Sequence, residues 1–186
     1  MKTIETERLI LREWRLEDLD DFHECAKDPN VGPMAGWEPH SSKEESLRVL
    51  DSYIADDGRW AIVLKENGKA IGSIRIYPDE NRGSFSERNS AKLISYFLSF
   101  DYWNNGYMTE AVKRVIKYAF DELNIELLTV FHTPQNFRTK RVIEKCGFQY
   151  ETTLEQGYKN YDGQTFDSVC YSVMKSDYHG DIQIDK

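Results

Sequence analysis

A chain of 186 residues with 40% hydrophobic and 13% aromatic side chains can bury the core of one globular domain, and it is too aromatic for a disordered chain. Its net charge of −8 and lack of a basic stripe argue against nucleic-acid binding, and no apolar run reaches the roughly 20 residues needed to span a bilayer. The 3 cysteines, Cys25, Cys146 and Cys170, are widely spaced and odd in number, which fits reduced thiols better than a disulfide or zinc framework.

The opening Met1 to Glu7 lacks the apolar core of a signal peptide, so a cytoplasmic protein is expected. An acidic surface suits a basic or amine-bearing acceptor, and it suits simple solubility equally well. Glu7 to Trp14 (ERLILREW) predicts a first strand, and Glu17 to Lys27 a helix with Leu19, Phe22, His23 and Ala26 on one face. Val31 to Ser42 is irregular, punctuated by Gly32, Pro33, Gly36 and Pro39. Ser42 is placed to cap the next helix with Glu45 closing a capping box, and Leu47, Leu50 and Ile54 form that helix's buried stripe. Trp37, Glu38 and His40 in the irregular stretch are candidates for the wall of an acceptor site. The alternative is that Trp37 plugs the core and His40 is exposed.

Trp60 to Leu64 and Lys69 to Tyr77 read as two strands joined at Asn67-Gly68, a strong hairpin signal. Pro78 to Asn89 is polar and aperiodic, and is expected to be a mobile loop. Ser90 to Leu123 then reads as a strand, a tight loop and a long helix. Met108, Ala111, Val112, Val115, Ile116, Ala119, Phe120 and Leu123 recur at helical spacing along one apolar face. A strand entering a helix through a short Gly-containing loop aims unpartnered N–H groups and the helix dipole at one spot, which suits a phosphate or pyrophosphate. Gly106 taken alone serves equally well as a purely conformational residue.

Glu126 to His132 predicts another buried strand. Asn136 is a good helix N-cap and Gly147 a good terminator for the segment between them. Glu151 to Lys159 and Phe166 to Val173 flank the turn signal Asp162-Gly163 and predict a closing hairpin, and the polar tail from His179 is expected to fray.

The run Trp103-Asn104-Asn105-Gly106-Tyr107-Met108-Thr109-Glu110-Ala111 resembles the acetyl-coenzyme-A loop of the GNAT acyltransferases. It is most similar to the branch that includes the RimJ/RimL-type N-terminal acetyltransferases of ribosomal proteins. The superfamily loop is written Q/R-x-x-G-x-G/A; here Trp103 stands at its first position, Gly106 at its fourth and Met108 at its sixth, so the side chain of Met108 must pack away from the phosphates. The opening Thr6-Glu7-Arg8-Leu9-Ile10-Leu11-Arg12 resembles the start of the same branch. Asn136 to Phe148 resembles the family's second motif, and Gly163, Asp167 and Tyr171 fall on its closing strands. The resemblance covers about residues 6 to 178 and implies a single GNAT domain over 1–186. The implied fold is α/β (α+β), with a central mixed, mostly antiparallel sheet of six to seven strands flanked by helices.

The resemblance further implies transfer of an acetyl group from acetyl-coenzyme A, a cosubstrate, to a primary amine, with no metal. Asn104, Asn105, Gly106, Tyr107, Met108 and Thr109 would receive the pyrophosphate. The pantetheine arm would lie where the next strand splays from the central one, assisted by Asn136 and Thr139. Backbone N–H groups around Phe97, Leu98 and Ser99 would face the reacting carbonyl. The family's frequent tyrosine acid, seven residues after the Asn, is Ile143 here. Thr139 is the nearest substitute, unless its hydroxyl bonds its own helix backbone. Glu38, His40, Tyr96 and Glu155 are candidates for the base, with Glu38 and His40 favoured. Glu110 reads as a structural carboxylate at the helix opening. The acceptor is expected to be a protein N-terminal amine, or alternatively a small-molecule amine such as a polyamine or aminoglycoside. A non-catalytic acyl-coenzyme-A sensor is a further alternative, and either a monomer or a homodimer is compatible with the chain.

Overall fold

The computed structural model describes residues 1–178; the expected frayed tail lies outside the described residues. In chain order the elements are β1 (Ile4–Glu5), β2 (Leu9–Arg12), α1 (Leu19–Ala26), α2 (Gly32–Ala35), α3 (Lys43–Ile54), β3 (Arg59–Leu64), β4 (Ala70–Pro78), α4 (Ser84–Glu87), β5 (Ala91–Leu98), α5 (Tyr107–Asp121), β6 (Leu127–His132), α6 (Phe137–Lys145), β7 (Gln149–Lys159) and β8 (Thr165–Met174). The strands form one sheet of 8 in the order β1-β2-β3-β4-β5-β6-β8-β7. β5 and β6 pair in parallel, over Ala91–Leu93 against Leu127–Thr129. The sheet has one strand more than the upper expectation because the two-residue β1 pairs with β2.

Contacts divide the chain into two compact units. One comprises Met1–Arg75, Ser95–Ala111 and Asn160–Gly163; the other comprises Ile76–Ile94, Val112–Lys159 and the chain from Gln164.

The first unit is centred on Trp14, Phe22, Cys25, Ala26, Val31, Leu50, Ala61, Val63, Ala70 and Phe97, all buried. Trp14 and Tyr53 both stack against Phe22, at centroid separations of 5.4 and 5.3 Å. The β3–β4 hairpin turns at Asn67-Gly68: Gly68 has φ +74°, and Asn67 Oδ1 accepts from the Lys69 N–H at 3.0 Å. Helix α3 is capped as expected, Ser42 Oγ accepting from the Glu45 N–H at 3.2 Å, but the Glu45 carboxylate turns to Ser41, one residue before the cap. Its stripe differs from the periodic reading. Only Leu50 is buried, Leu47 and Ile54 are exposed, and Ser46 takes the inner position because two histidines claim its hydroxyl.

In the second unit the inner face of α5 is buried as the spacing predicts, from Val112 to Phe120, while Leu123 lies beyond the helix and is exposed. The stretch after β4 carries side-chain anchors and a short helix. Asp79 accepts from Thr129 Oγ1 at 2.6 Å and from Arg82 Nε at 2.9 Å, and Arg82 reaches Glu151 at 2.8 Å. The short helix α4 completes it. Burial pushes the Asp79 carboxyl up, but the hydrogen bonds from Thr129, Arg82 and the Asn81 N–H outweigh this and hold it below its ordinary value.

Candidate active site

The loop between β5 and α5 belongs to the first unit. A single 3-10 turn, Phe100–Tyr102, leads from the strand, and Trp103 folds back so that its Nε1 donates to the Leu98 carbonyl at 2.8 Å. Its ring packs on Phe100 at 4.9 Å. This departure from the Gln or Arg of the superfamily loop therefore fastens the loop to the end of its own strand. Asn104 and Gly106 are both left-handed, at φ +62° and +79°. A Cβ on Gly106 would meet nothing closer than Arg8 Nη2, at 3.5 Å, so φ rather than space demands glycine there. The first rung of the helix runs from the Glu110 N–H to the Gly106 carbonyl at 3.0 Å, so the N–H groups of Gly106, Tyr107 and Met108 precede the helical ladder. The Met108 side chain is buried.

Phe97 and Leu98 are buried at the end of β5. The Ser99 N–H donates to the Ile71 carbonyl at 2.8 Å, and a Cβ on Gly72 would fall 2.4 Å from the Phe97 carbonyl oxygen. Residues 97 and 99 thus face β4, and by strand alternation the Leu98 N–H faces the opposite edge. A cleft of about 540 Å³ opens beside Ser99 and Phe100, with Glu24, Asp28 and Asp101 contributing carboxylates and Lys27 one ammonium.

Trp37, Glu38 and His40 separate in character. Trp37 donates from Nε1 to the Ala26 carbonyl at 3.2 Å and lays its edge on Phe97 at 4.9 Å. Glu38 is exposed. His40 is buried rather than exposed, with Nδ1 at 2.9 Å from Ser46 Oγ, and burial pushes its pKa down. Tyr96, on β5, is half-buried.

The second unit carries the other candidates. Asn136 Oδ1 accepts from the Thr139 N–H at 3.1 Å, the expected cap of α6, and Gly147 ends that helix region with φ +83°. Thr139 is half-buried, Ile143 is buried on the same face, and Glu155 is exposed on β7. His132 and Tyr171 are buried together, His132 Nε2 lying 3.4 Å from the Tyr171 hydroxyl. Burial pushes the Cys25 and Cys146 thiols up to about 12, which removes both as thiolate nucleophiles. Among the described residues, no group of three or more His, Cys, Asp or Glu side chains is placed to hold a metal ion. No helix of theirs is long and apolar enough to cross a membrane.

The acetyltransferase (GNAT) domain family matches residues 8–149. The chain belongs to the GNAT acetyltransferase family. Among its relatives is the uncharacterized N-acetyltransferase p20 of Bacillus licheniformis, 27% identical over 185 residues, covering 97% of this chain and 100% of that one. A GNAT-family acetyltransferase structure from Bacillus anthracis superposes with TM-score 0.80 at 20% identity, covering 94% of this chain and 99% of that one. The ribosomal-protein-S5-alanine acetyltransferase structure from Vibrio fischeri superposes with TM-score 0.71 at 21% identity, covering 95% and 98%.

In this GNAT acetyltransferase the loop fits the donor that the family uses, acetyl-coenzyme A. Two left-handed residues and helix-opening N–H groups, with Arg8 Nη2 3.5 Å from a Cβ built on Gly106, make a cradle of the kind a pyrophosphate takes. Sequence reasoning missed two features. The first is Arg8, whose guanidinium donates to the Asn105 carbonyl at 3.0 Å and pairs with Glu110 at 2.7 Å. The run Thr6-Glu7-Arg8 signalled the family but gave no chemical role. The second is the chain His23–Ser46–His40. Its members have no spacing signature, and nothing in the sequence announces it.

Proposed function

We propose that this chain transfers the acetyl group of acetyl-coenzyme A to a primary amine, and that the amine is the N-terminus of a polypeptide. The observation that carries the donor half is the Asn104–Met108 cradle. Support for the acceptor half comes from the cleft beside Ser99, which is open and lined by Glu24, Asp28, Asp101 and Lys27; Glu24 is paired with Lys69 at 2.8 Å, so Asp28 and Asp101 against Lys27 leave the lining negative. An open acidic cleft attracts an ammonium and leaves room for the chain behind it. The Vibrio fischeri protein of the same fold is named for an alanine of ribosomal protein S5.

The chemistry needs three services. The ammonium must lose a proton before its nitrogen can attack the thioester carbon. As the C–N bond forms, the carbonyl oxygen becomes an oxyanion, and the Leu98 N–H at the end of β5 is its proposed donor, since the Ser99 N–H is committed to Ile71. When the C–S bond breaks, the sulfur leaves as a thiolate and takes a hydrogen bond or proton, for which Thr139 on α6 is the proposed source. His40, neutral and joined to Ser46, is the proposed base ahead of exposed Glu38.

Titration calorimetry with acetyl-coenzyme A, followed by thiol detection with amines, tests the reading. Free coenzyme A should appear with a peptide bearing a free N-terminus and not with the same peptide N-terminally blocked. Release only with polyamines or aminoglycosides moves the acceptor to small molecules. Coenzyme binding with no release for any amine supports an acyl-coenzyme-A sensor instead.

A further inference from the structure

We propose that Arg8 is a positioning residue for the donor: it holds the Asn105 carbonyl so that the Gly106 N–H points toward the pyrophosphate, and Glu110 and Thr6 hold Arg8. The inference rests on the acetyl-coenzyme-A reading above.

The loop needs such a hold. Asn104 and Gly106, both left-handed, flank Asn105, and a left-handed non-glycine residue is an uncommon state that must be secured by its surroundings. Arg8 supplies the restraint from outside the loop. Its Nη1 donates to the Asn105 carbonyl at 3.0 Å. The peptide joining residues 105 and 106 is planar and trans, so its C=O and N–H point in opposite directions. Fixing the carbonyl on Arg8 therefore fixes the Gly106 N–H on the far side.

Arg8 is itself held by Glu110 and Tyr107, with 43% of its side chain exposed. Nε donates to Glu110 Oε2 at 2.7 Å, and Nη2 approaches the same oxygen at 2.7 Å. The guanidinium carbon sits 4.3 Å from the Tyr107 ring centre. The backbone N–H of Arg8 donates to Glu110 Oε1 at 2.9 Å, and the Thr6 hydroxyl donates to that oxygen as well. A planar fork that meets a carboxylate on one side and a carbonyl on another is a task lysine cannot perform.

The pair has a second consequence. Glu110 stands in the first turn of α5, the same turn whose N–H groups face the donor. An unpaired carboxylate there would repel a pyrophosphate, and the Arg8 guanidinium neutralises it. Burial pushes the Glu110 carboxyl up, but the bonds from Thr6 and Arg8 outweigh this and keep it ionised at neutral pH, so the pair persists there.

The test uses the full chain, with calorimetric affinity for coenzyme A and the ratio of kcat/KM for acetyl-coenzyme A over S-acetylpantetheine, which lacks the pyrophosphate. Arg8→Ala should weaken coenzyme A binding by roughly 10-fold, through a misplaced Gly106 N–H and an unpaired Glu110 rather than a lost contact to the donor. The same variant should lower the kcat/KM ratio by a similar factor. Arg8→Lys, which keeps the charge and loses the fork, should remain at least about fivefold weaker than the native chain. Arg8→Met, which keeps the apolar stem and removes the fork, should lower both readouts by a similar factor, and it covers the case in which Arg8→Ala fails to fold. Native coenzyme A affinity in Arg8→Ala, full recovery in Arg8→Lys, or an equal loss with both acyl donors overturns the proposal. A native chain that binds no coenzyme A overturns the acetyl-coenzyme-A reading itself, whereas native binding with indifferent variants removes only the role of Arg8.

Discussion

His40 Nδ1 lies 2.9 Å from the Ser46 hydroxyl. The same oxygen lies 2.8 Å from Nδ1 of His23. A hydroxyl has one proton, so with both rings neutral Ser46 donates to one Nδ1 and accepts from the N–H of the other. The two histidines therefore do not choose their tautomers independently, although 17 residues separate them in sequence. Burial, with the nearby His23, pushes the His40 pKa below its ordinary 6.5, against the pull of Glu45. The unfolded chain then binds the proton more readily than the folded one. This contribution to stability is fully present above pH 6.5 and is lost as the pH falls from there through the depressed value. Thermal unfolding should show Tm dropping between about pH 7 and 5, a drop that His40→Asn reduces. Ser46→Ala should cost about 1–3 kcal/mol at neutral pH, because it strands two ring nitrogens at once.

Gly72 brings β4 against the end of β5. A Cβ there would lie 2.4 Å from the Phe97 carbonyl oxygen and 3.0 Å from Leu98 Cα, both backbone atoms that cannot swing aside. Gly72→Ala should destabilise the fold by about 1–3 kcal/mol, as overpacking does. It should also displace the Leu98 N–H, the proposed oxyanion donor. Urea unfolding measures the first effect, and a kcat that falls more than the stability loss explains measures the second.

Asp79 anchors the stretch that follows β4. Its carboxylate takes hydrogen bonds from Thr129 and Arg82 while only 11% of its side chain is exposed. Removing the acceptor strands a hydroxyl and part of a guanidinium, so Asp79→Ala should cost about 2–4 kcal/mol. The carboxyl is depressed in the folded state, so its contribution is present above the ordinary carboxylate pKa and is lost as the pH falls through the depressed one. The gap between native and variant in urea midpoint should therefore narrow on going from pH 7 to pH 3.

What the sequence made legible was local. The apolar face of α5, the Asn67-Gly68 turn and the caps at Ser42 and Asn136 each depend on residues within a turn or two of one another, and all four stand in the structure. The left-handed turn at Gly106 and the helix opening after it were legible for the same reason, since they are consecutive. What remained hidden depends on partners far apart in sequence. Arg8 meets Glu110 across 102 residues, and Asp79 meets Thr129 across 50. Periodicity reports which face of an element is buried and says nothing of which polar group another element delivers to it. Leu47 and Ile54 show the same limit from the apolar side. They carry the helical spacing of a buried stripe, yet they are exposed because Ser46, bonded to two histidines, occupies the inner position.

Thr139 decides whether the sulfur's hydrogen-bond donor has been relocated in this chain. The position that would carry the family's frequent tyrosine holds Ile143, which is 1% exposed and has no proton to give. One turn earlier, Thr139 is half-buried, and its backbone N–H is already bonded to Asn136 Oδ1 at 3.1 Å. That bond belongs to the main chain and survives a change of side chain. Thr139→Val keeps the branched shape and the cap and removes only the hydroxyl. If the hydroxyl serves the departing sulfur, kcat should fall by about 100-fold, with the KM for acetyl-coenzyme A and the Tm nearly unchanged. Thr139→Ser should recover most of the rate. If instead the hydroxyl only bonds its own helix, kcat will hold and the unfolding free energy will change by about a few tenths of a kcal/mol at most.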